Sequence, residues 1–173
     1  MTKPALIVID VQNDYFANGA FPLWNVDATL AATVKAINAA RAKGIPVIHV
    51  QHVMHADGAA PFFNAGTPGA DIHPQVLAAA PDAPVVTKQF ADSFEKTGLA
   101  EQLAAQGIDE LLLCGMMTQH CVTYTALSKQ AQGYRKVTVL SDATTTLSEV
   151  VHGLALSGLK TKVTLATVEQ ALG

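Results

Sequence analysis

The chain has 173 residues, of which 50% are hydrophobic and 14% are charged, and its formal net charge is −3 at pH 7. This length is sufficient for one domain with a sizeable core, and we predict a single domain over residues 1–173. The composition excludes a disordered chain, and the sequence has no Lys/Arg cluster of the kind that binds nucleic acid or an anionic membrane surface. No apolar stretch reaches the ~20 residues that a bilayer-spanning helix needs.

The two cysteines, Cys114 and Cys121, bear on the compartment in which the protein works. Two cysteines cannot form a disulfide framework, and they suit a reducing environment. The N-terminus MTKPALIVID has no signal-peptide layout, so we expect a cytoplasmic protein. The low charge and high apolar fraction leave surplus apolar surface, from which we expect a homo-oligomer.

Six apolar runs of strand length alternate with helical patterns along the chain. Continuous apolar runs indicate strands that are buried on both faces, as in a parallel sheet. The predicted strands are residues 5–10, 45–50, 84–88, 110–114, 136–140 and 162–166. The first predicted helix contains Val26, Leu30, Val34 and Ile37 at helical spacing, with Asn25 or Asp27 as its cap and Gly44 at its end. The other predicted helices are residues 97–106, 118–132 and 148–157, each followed by a glycine. This alternation predicts an α/β fold with right-handed crossovers.

The segment LLLCGMMTQHCVTYTALSK places Cys121 in the first turn of a helix, just beyond the C-terminal end of a strand. Ligands bind at this position in an open α/β sheet. Free backbone N–H groups and the helix dipole favour an anion there, so we expect the thiolate of Cys121 to form easily. A reactive thiol also needs a base and a cation nearby, and Asp10 and Lys88 are the candidates.

The stretch from residue 51 to residue 82 is rich in glycine and proline and is too long for an ordinary connection. Phe62 and Phe63 form an adjacent aromatic pair in its middle. One interpretation is that the pair fills a small satellite core or a subunit interface, as buried aromatic side chains commonly do. The functional interpretation is that the pair forms the wall of a lid over the active site.

Three segments of the chain together resemble the isochorismatase-like superfamily of cysteine hydrolases: ALIVIDVQNDYF, VVTKQFADSFEKTGL and LLLCGMMTQHCVTYTA. The resemblance covers nearly the whole chain. It implies a Rossmann-like, three-layer α/β/α fold with an open six-stranded parallel sheet in the order 3-2-1-4-5-6. It also implies a catalytic triad of Asp10, Lys88 and Cys121.

The implied strand order places two of the three triad residues close together. Strands 1 and 4 are neighbours whose crossovers leave on opposite sides, so a crevice opens at their C-terminal ends, where Asp10 and Cys121 lie. Lys88 follows strand 3, two strands from strand 1, which is a distance of roughly 10 Å. The assignment of Lys88 therefore depends on the resemblance.

The turn before Cys121 is the expected oxyanion hole, since backbone N–H groups there could bind a tetrahedral oxyanion. The resemblance implies that the N–H groups of Met117 and Cys121 are the donors. It also implies a cis peptide bond between Met116 and Met117.

Several other residues are candidates for the substrate pocket, although turn formation or packing is the ordinary role of each. The candidates are Gln12, Phe16, Trp24, Phe62, Phe63 and His120.

Histidines at positions 49, 52 and 55 raise the question of a metal site. Because His49 belongs to a strand run while His52 and His55 fall beyond it, the three need not share a face. The nicotinamidase branch of the superfamily binds a metal through an Asp-x-His pair, and that pair is absent from HVQHVMHADG. His73 could join His52, but no carboxylate partner is evident. We predict no metal and no cofactor, since no nucleotide-binding glycine loop follows any strand.

Three functional hypotheses follow from these residues and from the resemblance. The first is a thiol-dependent hydrolase that cleaves an amide or carbamoyl C–N bond of a small molecule through a covalent thioester. The second is an isochorismatase-type vinyl-ether hydrolase that uses Asp10 and Lys88 without needing the thiol. The third is a redox-responsive thiol protein without catalytic activity, a role that requires neither Asp10 nor Lys88.

Overall fold

The computed structural model describes residues 2–54 and 59–173. Six parallel strands form one sheet in the order β3-β2-β1-β4-β5-β6, which confirms the predicted order. The strands are β1 (Pro4–Ile9), β2 (Val47–His52), β3 (Val85–Lys88), β4 (Glu110–Met116), β5 (Lys136–Thr145) and β6 (Thr164–Ala166).

Helices cover both faces of this sheet. The α-helices are α1 (Val26–Ala42), α2 (Pro74–Ala79), α3 (Leu99–Ala105), α4 (Thr123–Leu127), α5 (Glu149–Leu159) and α6 (Val168–Leu172). Short 3-10 turns occupy Asn13–Tyr15, Pro68–Ala70 and Ala131–Gly133, and one π-helical turn occupies Thr118–Val122. In the described part of the chain, no helix has both the length and the apolar character that crossing a bilayer requires.

The two faces of the sheet build two separate hydrophobic cores. Side chains of β1 alternate between them, because successive residues of a strand point to opposite faces. Leu6 and Val8 belong to the core beneath α1, whereas Ala5, Ile7 and Ile9 belong to the core on the opposite face. The central strand is thus buried on both sides, as its unbroken apolar run predicts.

Two of the predicted helices end at clearly different residues. Helix α4 ends at Leu127 rather than residue 132, because Ser128 is extended and its side chain accepts a hydrogen bond from the N–H of Ala131. Helix α5 runs through Gly158 and ends at Leu159, so this glycine does not terminate it.

Two helices were not predicted at all. One is α2, which lies inside the long stretch that the sequence indicates as irregular. The other is α6, where Thr167 and Gln170 form a capping box whose T-x-x-Q signal is visible in the sequence. Both helices are very short, so their apolar spacing gives no clear periodicity.

Gly115 lets β4 run close to β1 at the edge where the strands end. Its φ is +115°, a conformation that side chains other than glycine rarely adopt. A Cβ atom at this position would also overlap the backbone carbonyl of Ile9. The glycine is therefore required by both the conformation and the close approach of the two strands.

We predict that Gly115→Ala lowers the free energy of unfolding by at least about 2 kcal/mol, since it adds backbone strain to overpacking. Gly133→Ala is the matched control, because a Cβ atom there meets no atom within 4 Å. Urea denaturation followed by circular dichroism measures both variants. Equal stabilities for the two variants would contradict the role given to Gly115.

Candidate active site

Asp10 follows the last residue of β1 and is completely buried. Its φ of 52° is unusual for a residue other than glycine, and such conformations persist only where the surrounding structure holds them. The N–H of Asp10 still donates to the carbonyl of Val50 on β2, at 3.0 Å. The residue is therefore anchored to the sheet while the chain turns away at its C-terminal edge.

Lys88 is the last residue of β3, and its side chain is fully buried. Strands β2 and β3 pair in parallel with His52 opposite Lys88. The lysine side chain crosses the gap left by the two-strand separation, and its Nζ lies 2.8 Å from Oδ2 of Asp10. The structure thus brings Lys88 to Asp10, which strand order alone did not indicate.

The ammonium group of Lys88 is surrounded by acceptors. It lies 3.0 Å from the carbonyl oxygen of Phe90, 3.4 Å from that of Ala91 and 3.2 Å from Nδ1 of His52. Burial disfavours the charged form, but the neighbouring carboxylate of Asp10 outweighs it and raises the pKa of Lys88. Burial likewise opposes ionisation of Asp10, yet the ammonium group and His52 lower the pKa of this carboxyl. The two groups form a buried ion pair.

Cys121 lies in the π-helical turn directly after β4, and only 1% of the residue is exposed. One oxygen of Asp10, one nitrogen of His52 and the sulfur of Cys121 lie within 4.8 Å of one another. The sulfur is 3.9 Å from Nδ1 of His52 and 3.4 Å from Nδ1 of His120. Asp10, Lys88 and Cys121 therefore converge at one point, although they are far apart in the sequence.

The thiol of Cys121 does not have the lowered pKa that the sequence predicts. Burial, followed by the carboxylate of Asp10, raises the pKa of Cys121, and Lys88 offsets only part of this effect. Burial therefore favours the thiol form of Cys121 over the thiolate.

The turn between β4 and Cys121 contains a cis peptide bond between Met116 and Met117. The carbonyl of Met117 accepts hydrogen bonds from the N–H groups of His120, at 3.0 Å, and Val122, at 3.3 Å. The N–H groups of Met117 and Cys121, which are the predicted oxyanion donors, belong to this same turn.

Thr118 links this turn to α5 through a network that the sequence did not reveal. Its Oγ1 lies 2.9 Å from Oγ1 of Thr144 and 3.0 Å from Nδ1 of His152. The ring of His152 lies beside Trp24, with 5.9 Å between ring centroids. The sequence signal for this network is weak, because threonines after a strand and a lone histidine on a helix have many ordinary roles.

Gln12 has a different role from the one predicted. It is fully buried, and its amide nitrogen donates to the carbonyl groups of His52, at 2.8 Å, and Ala70, at 2.7 Å. Its amide oxygen accepts from the N–H of His52 at 2.7 Å. Both N–H bonds of the amide are thus used by the main chain, so Gln12 holds the end of β2 in place instead of offering a donor to substrate.

Phe16 also lies apart from the predicted pocket. Its ring packs on His73, with 4.3 Å between centroids, and both residues line a surface cavity that none of the three triad residues lines. His73 uses its Nδ1 to cap α2 by accepting from the N–H of Gln75. The pocket role predicted for Phe16 is therefore not supported.

Phe62 and Phe63 pack into an aromatic cluster around Tyr15. Their ring centroids lie 5.6 and 4.6 Å from that of Tyr15, and Phe63 is completely buried. The N–H of Phe63 donates to Oδ2 of Asp14 at 2.7 Å. The packing interpretation accounts for both residues, although the ring of Phe63 also lies 6.0 Å from that of His52.

Two of the predicted pocket residues retain exposed surface. His120 is exposed while its Nδ1 contacts the sulfur of Cys121, and its ring lies 5.5 Å from that of Tyr124. Trp24 is 36% exposed. A substrate contact by either residue stays a prediction.

The histidines considered for a metal site do not converge in the described part of the chain. His49 directs Nε2 to the carbonyl of Ala80, at 3.1 Å, and His73 caps α2, while His55 lies outside the described residues. His52 does adjoin Asp10 and Cys121, but the ammonium group of Lys88 lies 2.8 Å from Oδ2 of Asp10 and 3.2 Å from Nδ1 of His52, so a metal cation at this point would face a fixed positive charge. These residues therefore do not fit a resident metal ion.

We predict that Lys88→Met lowers the free energy of unfolding by about 3–5 kcal/mol, because the carboxylate of Asp10 would be buried without its cation. The double variant Asp10→Asn/Lys88→Met should regain most of this loss. Lys35→Met is the matched control, since Lys35 pairs with Glu169 at the surface and solvent screens that pair. Urea denaturation measures all three variants, and a small effect of Lys88→Met would contradict the buried pair.

Known proteins resemble this chain over most of its length. Residues 4–170 match the isochorismatase domain. An uncharacterized isochorismatase family protein of Bacillus subtilis, YddQ, is 39% identical over 145 residues, which cover 83% of this chain and 79% of that protein. The maleamate amidohydrolase of Pseudomonas putida is 33% identical over 150 residues, which cover 79% of this chain and 70% of that enzyme.

The fold can also be compared with solved structures. An isochorismatase-like hydrolase from Alkaliphilus metalliredigens superposes with a TM-score of 0.88 at 29% identity, over 99% of this chain and 98% of that chain. The domain match, the identity to YddQ and the shared fold lead to one conclusion. The chain belongs to the isochorismatase family of hydrolases.

Proposed function

We propose that the protein hydrolyses a C–N bond of a small amide or carbamoyl compound, with Cys121 as the nucleophile. The observation that carries this proposal is the placement of the thiol beside the buried ion pair of Asp10 and Lys88, whose atoms lie 2.8 Å apart. A thiol alone has many roles, but a thiol next to a base and a fixed cation is the arrangement that covalent catalysis needs. The name of the related maleamate amidohydrolase supports the same reaction class.

The charges around the sulfur suit formation of a tetrahedral intermediate. When the sulfur attacks the carbonyl carbon, an S–C bond forms and negative charge develops on the carbonyl oxygen. The N–H groups of Met117 and Cys121 would bind this oxyanion. The raised pKa of Lys88 keeps its ammonium group charged, so this group offsets the negative charge of Asp10 and of the reacting atoms.

The intermediate then breaks down in two stages. The C–N bond breaks, the amine leaves with a proton, and a thioester with Cys121 remains. Water attacks the thioester, the S–C bond breaks, and the carboxylic acid is released. Asp10 has one carboxylate oxygen beside Lys88, and its Oδ1 has no hydrogen-bond partner among the described residues, so this oxygen could position the attacking water.

A vinyl-ether substrate remains the second candidate function. The matched domain is the isochorismatase domain, and the ion pair of Asp10 and Lys88 exists without any contribution from the thiol. Protonation of an enol-ether carbon needs an acid, however, and the neighbouring ammonium group of Lys88 favours the ionised form of Asp10. The presence of Cys121 at the same point favours amide hydrolysis.

A redox-responsive role fits the site poorly. Oxidation-sensitive cysteines are exposed and have a low pKa, whereas Cys121 is 1% exposed and has a raised pKa. The proposed hydrolase also agrees with a reducing cytoplasm, in which a catalytic thiol stays reduced.

We predict that Cys121→Ala lowers the turnover of amides at least about 10³-fold, because no other group can form the thioester. Ammonia release is measured over maleamate and a set of small primary carboxamides and carbamoyl compounds, with isochorismate as the comparator substrate. Cys114→Ala is the matched control, because Cys114 is fully buried in β4 and its pKa is raised to about 12.

The two hypotheses give different results in this assay. Amide hydrolysis that survives in Cys121→Ala would remove the proposed function. Isochorismate cleavage that survives in Cys121→Ala but disappears in Asp10→Asn would support the vinyl-ether alternative.

A further inference from the structure

One ring nitrogen of His52 has no hydrogen-bond partner at the candidate site. The residue is 5% exposed, and its Nδ1 lies 3.2 Å from Nζ of Lys88 and 3.9 Å from the sulfur of Cys121. Its Nε2, in the same ring, is buried and forms no hydrogen bond with any described residue. Buried polar atoms nearly always have a partner, so an exception beside the reacting groups needs a physical explanation.

The contact with Lys88 determines which nitrogen of His52 carries the proton. An ammonium group can only donate, so Nδ1 accepts this hydrogen bond and is unprotonated. Oδ2 of Asp10 lies 3.7 Å from Nδ1, which is too long for a competing hydrogen bond from this nitrogen. In a neutral imidazole the proton then resides on Nε2. The atom without a partner is therefore an N–H donor.

The main chain of His52 is fixed, so its ring has little freedom to reach another acceptor. The N–H of His52 donates to Oε1 of Gln12 at 2.7 Å, and its carbonyl accepts from Nε2 of Gln12 at 2.8 Å. The residue is also paired with Lys88 in the sheet, and its ring lies 6.0 Å from the buried ring of Phe63. The donor therefore stays unpaired until a bound molecule brings an acceptor to it.

The position of this donor indicates which part of a substrate it would bind. Because Nε2 shares a ring with Nδ1, which is 3.9 Å from the sulfur, an acceptor on Nε2 would be close to the carbon that the sulfur attacks. The carbonyl oxygen on that carbon is assigned to the N–H groups of Met117 and Cys121 in the proposed function. The acceptor for His52 is therefore a second oxygen atom of the substrate.

We propose that His52 binds substrate and selects small amides that carry a second oxygen acceptor, either a carbonyl or a carboxylate, near the scissile amide. This inference rests on the proposed function and narrows its substrate class. Half-amides and diamides of dicarboxylic acids have this pattern, whereas simple alkyl amides lack it. An alkyl amide would leave the buried N–H unpaired in the complex, which is the situation in which enzymes discriminate strongly.

Matched amides of two, three and four carbons test this selection in the wild-type protein. The half-amides are oxamate, malonamate and succinamate, the diamides are oxamide, malonamide and succinamide, and the monoamides are acetamide, propionamide and butyramide. Ammonia release gives kcat/KM for each. At one chain length at least, we expect kcat/KM to be about 10-fold or more higher with the second oxygen than without it. Equal values at every chain length would overturn the inference.

Two substitutions separate the two nitrogens of His52. In His52→Asn the side-chain oxygen can accept from Lys88 near the position of Nδ1, but no donor reaches the position of Nε2. In His52→Gln the amide nitrogen reaches that position and can donate. We expect His52→Asn to lose the preference for the second oxygen through a raised KM, while kcat/KM for the monoamide changes less than about threefold. His52→Gln should regain part of the preference.

The pattern across substrates distinguishes binding from a structural role. An unchanged preference in His52→Asn would overturn the inference, and so would an equal loss of activity on all the amides. His49→Gln is the matched control, because His49 is buried in the same strand but its Nε2 already donates to the carbonyl of Ala80 at 3.1 Å. This variant should keep the wild-type preference, and circular dichroism checks that every variant is folded.

Binding to Cys121→Ala separates this inference from the proposed reaction, since NMR titration gives Kd for the same amides without turnover. Tighter binding of the amides with a second oxygen, by about 10-fold or more, should disappear in Cys121→Ala/His52→Asn. That result would support the inference even if the wild-type protein hydrolyses no amide, in which case the proposed function alone fails. Hydrolysis without any preference would overturn the inference alone. Absence of both binding and hydrolysis would overturn both.

Discussion

The buried ion pair between Asp10 and Lys88 is the interaction on which the rest of the site depends. Both groups lie out of contact with water, where an isolated charge would be very costly. The pair is tolerated because its surroundings supply acceptors to the ammonium group from the turn after β3 and from His52. The loop and the strand ends around the pair therefore have little freedom to move, and the sulfur of Cys121 lies next to them.

The sulfur of Cys121 consequently faces two unlike environments. On its inner side are the buried carboxylate of Asp10 and the buried ammonium group of Lys88. On its outer side is an exposed imidazole at 3.4 Å. The charged inner side can stabilise charge that develops during a reaction. A raised thiol pKa is compatible with catalysis in such a site, because the proton needs to leave only when the carbon–sulfur bond forms.

Much of the fold could be predicted, because the strands of a parallel sheet are buried on both faces and therefore appear in the sequence as unbroken apolar runs. The run at β1 has no polar interruption, and the one at β4 reaches the glycine that lets it lie against β1. The positions of Asp10 and Cys121 follow from the same rule, since the C-terminal ends of neighbouring strands meet at one edge. Lys88 was identified only through the resemblance, because the reach of a side chain across two strands cannot be derived from spacing.

The features that the sequence did not reveal depend on partners brought together by folding. Gln12 was expected to contact substrate, yet its side-chain amide forms hydrogen bonds with the backbone of His52 and Ala70. The sequence raises His52 only as a possible metal ligand, and its contact with Lys88 comes from the pairing of β2 with β3. The thiol pKa was misjudged because burial is a property of the whole fold. A helix dipole can be inferred from sequence, but the loss of water around a sulfur atom cannot.

The register between β2 and β3 has a consequence for how proteins of this architecture can change length. Successive residues of a strand alternate between the two faces of the sheet. An insertion of one residue within β3 would therefore point the side chain of Lys88 to the opposite face, away from Asp10. Insertions in the connections beyond the strand ends would leave that register intact. Variation in chain length should therefore accumulate in the loops that surround the cleft, where it can alter which compounds enter while the reacting groups stay in place.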